Sequence, residues 1–248
     1  MKLTQNTILI TGGSSGIGLE LSKELLKRNN TVIICGRSKE RLAAAKKQYP
    51  ALEIIQCDVA KEEDCKRLVN WIKEYHPKIN VLINNAAIVH KTNFFDTTDA
   101  IYKANQEIEV NFMGPLRLVH MLYSQLISNK SPMIINITTG LIYAPRADYP
   151  FYNSTKSALH SFTQVIRKQL EKSTIKVVEV MFPVVDTPWH KGSPPKIAIT
   201  PQKAVEEMMK GVEKGKLEVR VGGVKVFYRL ARIAPSLAFK LINNLEKS

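Results

Sequence analysis

"TILITGGSSGIGLELSKELL", residues 7–26, decides the fold. Five mostly β-branched or aliphatic residues run into a glycine turn, and the turn opens into a segment whose apolar residues Ile17, Leu21 and Leu25 recur at helical spacing. This is the signature of a strand, a tight turn and a helix. Backbone amides in such a turn can approach an anion closely, and the helix N-terminus adds partial positive charge. Gly12, Gly16 and Gly18 punctuate it as T-G-x-x-x-G-x-G, which differs from the commoner G-x-G-x-x-G of dinucleotide folds. The functional reading makes Gly12, Ser14, Ser15, Gly16, Ile17 and Gly18 a diphosphate cradle; the plainer reading is a turn kept for packing alone.

Outward from this stretch the same alternation repeats. "TVIICG" precedes a helical segment at 38–49, "LEIIQCDV" one at 61–75, and "INVLINNA" one at 98–127. "MIINIT" precedes a helix at 152–172, "KVVEVMF" one at 201–214, and "LEVRVG" closes the series. Seven short buried-looking strands with helical crossovers predict an α/β, Rossmann-like doubly wound sheet, parallel throughout, with helices on both faces and one domain over 1–248. Ser38 reads as an N-cap, Thr200 and Pro201 as a cap and first helical residue, and Gly215 as a helix end. The proline-rich stretch "FPVVDTPWHKGSPPKIAITP" is too long for an ordinary connection, so residues 188–200 are expected to form a substrate lid.

Composition narrows the class. The chain has 248 residues, 44% of them hydrophobic, which is enough for one sizeable core. Its formal charge of +14 is scattered over helical segments, without a basic arm or aromatic-basic interleaving, so no nucleic-acid partner is expected. Three cysteines, Cys35, Cys57 and Cys65, form neither a disulfide framework nor a zinc spacing. No metal is expected. The N-terminus has no signal-peptide pattern and no uncharged run reaches about 18 residues, so the expectation is a soluble, cytoplasmic protein.

The end of the second strand bears on cofactor choice. A carboxylate there suits the ribose 2′-hydroxyl of NAD, whereas an arginine suits the 2′-phosphate of NADP. Gly36, Arg37 and Ser38 stand at these positions, which favours NADP over NAD. Asp58 and Val59, after the third strand, can bracket the adenine.

"FYNSTK", residues 151–156, places Tyr152 four residues before Lys156, and no other of the eight tyrosines has a lysine at that offset. Residues so spaced share a helix face, with Cβ atoms roughly 6 Å apart. An ammonium beside a phenol favours phenolate and lowers a pKa otherwise near 10, which makes the pair a candidate general acid/base. Taken alone, the spacing also fits an ordinary surface pair.

With "TGGSSGIG", "CDV", "NNAA", "VNFMG", "INITTG", "FYNSTK" and "FPVVDT" in order, nearly the whole chain resembles the short-chain dehydrogenase/reductase family, and within it a bacterial reductase subgroup. The resemblance implies an NAD(P)(H)-dependent oxidoreductase interconverting a small-molecule carbonyl and alcohol, as a homodimer or homotetramer. It implies Tyr152 as general acid/base, Lys156 as its tuning partner on the nicotinamide ribose, and Asn111 as the residue that bends its helix and anchors a proton relay. Asn85 and Ala86 would support the cofactor, with Ala87 where the family has glycine. The family's serine, thirteen residues before the tyrosine, is Thr139, with Thr138 the alternative if the register is shifted by one. In "FPVVDT", Phe182 and Pro183 replace proline and glycine; the Val185 amide would meet the carboxamide and Thr187 the diphosphate.

Other candidates are weaker. His90, His120 and His160 lack evident carboxylate partners and read as structural. Trp189, His190, Tyr143 and Tyr149 either line the substrate or pack. Residues 224–248 form a basic amphipathic extension whose Lys225, Arg229 and Arg232 share a stripe; it would lie on an anionic membrane, fold over a partner subunit or close the pocket. A rival to the enzyme is a non-catalytic NADP-sensing scaffold, against which Tyr152, Lys156 and Asn111 together weigh.

Overall fold

The computed structural model describes residues 2–244. Seven strands, β1 (Thr7–Thr11), β2 (Thr31–Gly36), β3 (Glu53–Gln56), β4 (Val81–Asn84), β5 (Met133–Thr139), β6 (Lys176–Phe182) and β7 (Glu218–Arg220), form one sheet in the order β3-β2-β1-β4-β5-β6-β7. Every pairing is parallel, as the strand–helix alternation predicts. The order reverses between β1 and β4, where a crevice opens at the carboxyl ends of the strands.

Alternate strand residues supply two cores. Ile8, Ile10 and Ile34 face one side, where α1 (Gly16–Leu26), α2 (Lys39–Gln48) and α7 (Pro201–Glu213) contribute Leu21, Leu42 and Met208. Leu9 and Ile33 face the other, where α3 (Glu62–Tyr75), α5 (Gly114–Ile127) and α6 (Pro150–Gln169) contribute Leu68, Leu122 and Ile166. The period of two along a strand therefore covers both faces. The caps read from sequence are present: Ser38 accepts from the Arg41 amide and Thr200 from the Lys203 amide.

Three segments depart from the sequence expectation. The helix expected over 98–127 is α4 (Ala100–Ile108) joined to α5 through a π-helical turn, Glu109–Met113, with Asn111 at its middle. Helix α6 starts at Pro150, two residues early, because proline suits the first helical turn, and it ends at Gln169. The C-terminal extension is broken into α8 (Val224–Ile233) and α9 (Pro235–Asn244), since Pro235 cannot continue a helix through Ala234; residues 245–248 of that extension lie outside the described residues.

The three cysteines, apart in sequence, are all free and buried. The Cys57 thiol touches those of Cys35 and Cys65; its contact with Cys35, and then burial, push Cys57 above the usual range, and the contact with Cys57, and then burial, do the same for Cys65. No helix among the described residues is long and apolar enough to cross a membrane.

Candidate active site

The glycine turn after β1 has the conformation an anion cradle requires. Gly12 sits at φ 66°, in the left-handed region, and a Cβ on Gly18 would lie 2.2 Å from the Gly12 carbonyl oxygen. Ser15 occupies the N-cap of α1 without a side-chain cap bond, so the first amides of the helix are not satisfied by it. The Asn85 side chain braces the turn, donating to the carbonyls of Thr11 at 2.9 Å and Gly12 at 3.3 Å. The Thr11 hydroxyl accepts from the amides of both Asn85 and Ala86.

A cleft of about 1320 Å³ runs from this turn along the strand ends. It is lined by every residue expected to hold the cofactor: Gly12, Ser14, Ser15, Gly16, Ile17, Gly18, Arg37, Asp58, Val59, Asn85, Ala86, Tyr152, Lys156, Val185 and Thr187. Arg37 is exposed at one end, and Arg41, which the sequence reading did not single out, lines the same end. The nearby Glu40 carboxylate is occupied by the Ser38 hydroxyl at 2.7 Å. Asp58 is the only carboxylate lining the cleft among the described residues. The amide-rich turn and the bare helix N-terminus fit a dinucleotide diphosphate.

At the other end, Thr139, Tyr152 and Lys156 meet. The Lys156 ammonium lies 5.7 Å from the centre of the Tyr152 ring, so both project from one face of α6. Lys156 is 2% exposed, donates to the Ile137 carbonyl at 2.8 Å and contacts no carboxylate among the described residues. Burial lowers its pKa to about 8, against the opposing pull of Glu107 and Glu179. Tyr152 departs from expectation: burial first, and the Glu107 charge second, push its phenol well above the ordinary tyrosine range. In the protein alone, desolvation and a buried acid outweigh the lysine, which was expected to lower it.

Adjacent threonines divide their work. The Thr138 hydroxyl donates to buried Glu179 at 2.6 Å, whereas the Thr139 hydroxyl caps the short turn Gly140–Ile142 by accepting from the Leu141 amide at 3.3 Å and donates only over a long 3.4 Å contact to the Phe182 carbonyl. Thr139 is therefore the hydroxyl left available at the chemical end. Asn111 does not line the cleft. It sits behind it, fully buried, with its side chain accepting from the Ile88 amide and donating to the Ile88 carbonyl, both at 2.8 Å, and touching Thr155 at 3.2 Å.

Two histidines read as lacking carboxylates do have them. His90 Nδ1 is 3.0 Å from Glu107 and His160 Nδ1 is 2.8 Å from Glu179, both acids being completely buried. These pairings span 17 and 19 residues, beyond any helical offset that a sequence scan would test. His120 has no such contact among the described residues and is exposed.

The proline-rich loop is pinned at its base by the Asp186 amide on the Ile199 carbonyl, 2.9 Å, and the Ile199 amide on the Val184 carbonyl, 3.1 Å. Beyond the pin, Trp189 packs edge-on against Tyr149 and lines the cleft with His190 and Ile197. Tyr143 is not at the cleft; it is engaged by Arg220, whose guanidinium donates to its hydroxyl at 2.9 Å and stacks on Tyr228 at 3.9 Å. Val224 and Phe227 of α8 and Leu241 and Ile242 of α9 also line the cleft, so the C-terminal helices wall its chemical end.

The profile of the short chain dehydrogenase family matches residues 6–198. An uncharacterized oxidoreductase named DltE, from Bacillus subtilis (strain 168), is 41% identical over 233 residues, spanning 91% of this chain and 92% of the relative. A short chain dehydrogenase from Burkholderia cenocepacia J2315, in complex with NADP, superposes with a TM-score of 0.87 at 24% identity over 98% of this chain and 99% of that one. A second, from Burkholderia phymatum and in complex with NAD, superposes with a TM-score of 0.85 at 14% identity, over 98% and 97% of the two chains.

Proposed function

The chain belongs to the short-chain dehydrogenase family and is an oxidoreductase; from that premise we propose that it uses NADP(H) to interconvert a carbonyl and an alcohol, with Tyr152 as general acid/base. One observation carries this reading. A cradle suited to a diphosphate and the Tyr152–Lys156 pair line the same cleft.

Ser14, Ser15, Gly16, Ile17 and Gly18 would hold the diphosphate, with Thr187 beside it, and Arg37 would meet the 2′-phosphate. Asp58 and Val59 would bracket the adenine, Asn85 and Ala86 the turn beneath it, and the Val185 amide the carboxamide. Lys156 would hold the ribose. When bound, the dihydronicotinamide supplies the hydride.

The chain's own residues then manage one proton. Thr139 donates a hydrogen bond to the substrate oxygen, and Tyr152 donates its proton as negative charge develops there. Burial keeps that proton on Tyr152 until it is needed. In the oxidising direction the phenolate is the base, and it is disfavoured in this pocket unless positive charge is nearby; Lys156 is the cation the chain provides.

Leu141, Trp189, Ile197, Val224, Phe227 and Leu241 line the cleft beside Arg146, His190 and Lys191, and these apolar side chains support a carbonyl carried on a hydrophobic body. A panel of aldehydes, ketones and diketones with NADPH, run on wild type and Tyr152→Phe, tests the reading. Turnover in wild type with loss in the variant, at unchanged NADPH binding, is expected; NADPH binding without turnover in either protein would leave a cofactor-sensing scaffold.

A further inference from the structure

We propose that the mouth of the cleft is a docking surface for an anionic lipid bilayer, formed by α8, α9 and the proline-rich loop, so that the cleft opens onto the membrane. The docking stands on its own observations; that a substrate's hydrophobic body enters by this route rests on the carbonyl-reducing reading above.

Two segments far apart in sequence rim the mouth, and they share one composition. The loop 188–200 carries Lys191 and Lys196, and the helices over 224–244 carry Lys225, Arg229, Arg232 and Lys240, yet neither segment holds an aspartate or a glutamate. The 22 acidic residues of the chain therefore lie elsewhere. All six cations are exposed. Lys225 has Glu207 of α7 at 3.6 Å, whereas the other five contact no carboxylate among the described residues.

Apolar side chains are exposed at the same places. On α8, Val226 and Ile233 stand one turn to either side of Arg229, forming one outward stripe, and Ile233 is 85% exposed. On α9, exposed Leu237 and Leu241 share a face with Lys240. On the loop, Trp189 is 47% exposed and Ile197 more so. Trp189, Ile197 and Leu241 also line the cleft, so the outer patch is continuous with the apolar wall inside.

Large apolar side chains in water are unfavourable, and cations interspersed among them are costly to bury against a hydrophobic partner. An anionic bilayer surface suits both. The apolar tips enter the acyl boundary, tryptophan sits at headgroup level, and the long basic side chains reach lipid phosphates. A second copy of this chain suits neither, because a two-fold contact sets the six cations against their own equivalents. Docking of this kind is peripheral, since no helix among the described residues can cross a membrane.

Flotation of the full-length protein tests this, with vesicles of phosphatidylglycerol mixed with phosphatidylcholine and with phosphatidylcholine alone. Wild type is expected to float with the anionic vesicles only, and to be released as salt rises. Ile233→Glu and Arg229→Glu should each weaken partitioning by about tenfold or more. Lys47→Glu reverses a charge on α2, which packs at the β3 edge of the sheet, opposite the β7 edge that leads into α8, and should weaken it by less than about twofold. In a Trp71→Phe background Trp189 is the only tryptophan; its emission should move to the blue and resist acrylamide when anionic vesicles are added.

No flotation with anionic vesicles would overturn the proposal. So would equal losses in Lys47→Glu and Arg229→Glu, or a Trp189 that stays quenchable while the protein floats, since either means attraction by overall charge. An oligomer that Ile233→Glu dissociates, with no vesicle binding, would overturn it by giving the face to a second copy. Neither flotation nor quenching needs NADPH or a carbonyl, so their failure leaves the reductase reading intact, and absence of turnover leaves the docking intact.

Discussion

Lys156 Nζ stands 5.7 Å from the centre of the Tyr152 ring and is held there by a 2.8 Å bond to the Ile137 carbonyl at the end of the central sheet. The sheet thus fixes a cation beside the phenol. Because the same lysine is buried, it costs stability as well as supplying charge.

That cost has a sign. The folded protein releases the Lys156 proton near pH 8, whereas the unfolded chain keeps it to the ordinary 10.5, so between these values the unfolded state binds more protons and stability rises with pH. The gain is at most about 3 kcal/mol. Urea unfolding of wild type and Lys156→Met at roughly pH 7.5 and 9.5 should show a steeper rise in wild type. Equal slopes would mean that the ammonium is not desolvated.

Thr139→Val should lower kcat by about a hundredfold through loss of a donor to the developing alkoxide, while Thr139→Ser retains most activity. Thr138→Val should act on stability instead, costing about 1–3 kcal/mol by removing a donor from buried Glu179. A catalytic loss confined to Thr138→Val would move the hydroxyl role by one residue.

Arg37→Ala should weaken NADPH by about tenfold or more, the worth of a charge-assisted bond to the 2′-phosphate, and leave NADH nearly unchanged. Fluorescence titration with both cofactors measures the difference. An equal loss for the two would show that Arg37 does not read the phosphate.

The apolar wall around Trp189 and Leu241 predicts that kcat/KM rises with chain length in a series of straight-chain aldehydes, by up to about fourfold per buried methylene. Trp189→Ala should flatten the series. A flat wild-type series would place the substrate body outside this wall.

Much of this was legible in the sequence because the decisive signals are local. The strand–turn–helix at 7–26, the alternation behind it and the four-residue spacing of Tyr152 and Lys156 need no knowledge of the fold. Glu107 with His90 and Glu179 with His160 were missed because each pairing depends on how the chain returns across the sheet. The contact among Cys35, Cys57 and Cys65 is hidden for the same reason. The upward push on Tyr152 could not be read either, since it comes from burial and from Glu107 rather than from its neighbour in sequence. Pro235 is the sequence signal for the break between α8 and α9, and the reading of 224–248 as one amphipathic extension left it unused.

The central claim is that Tyr152 is a phenol whose proton is governed by the charges around it. Ultraviolet difference titration of wild type against Tyr152→Phe, with and without NADP⁺, isolates this phenol from the protein's seven other tyrosines. The account predicts one tyrosine that ionises above the ordinary range in the free protein and shifts strongly downward when the oxidised cofactor adds its positive charge. A Tyr152 titration that NADP⁺ leaves unmoved would contradict it.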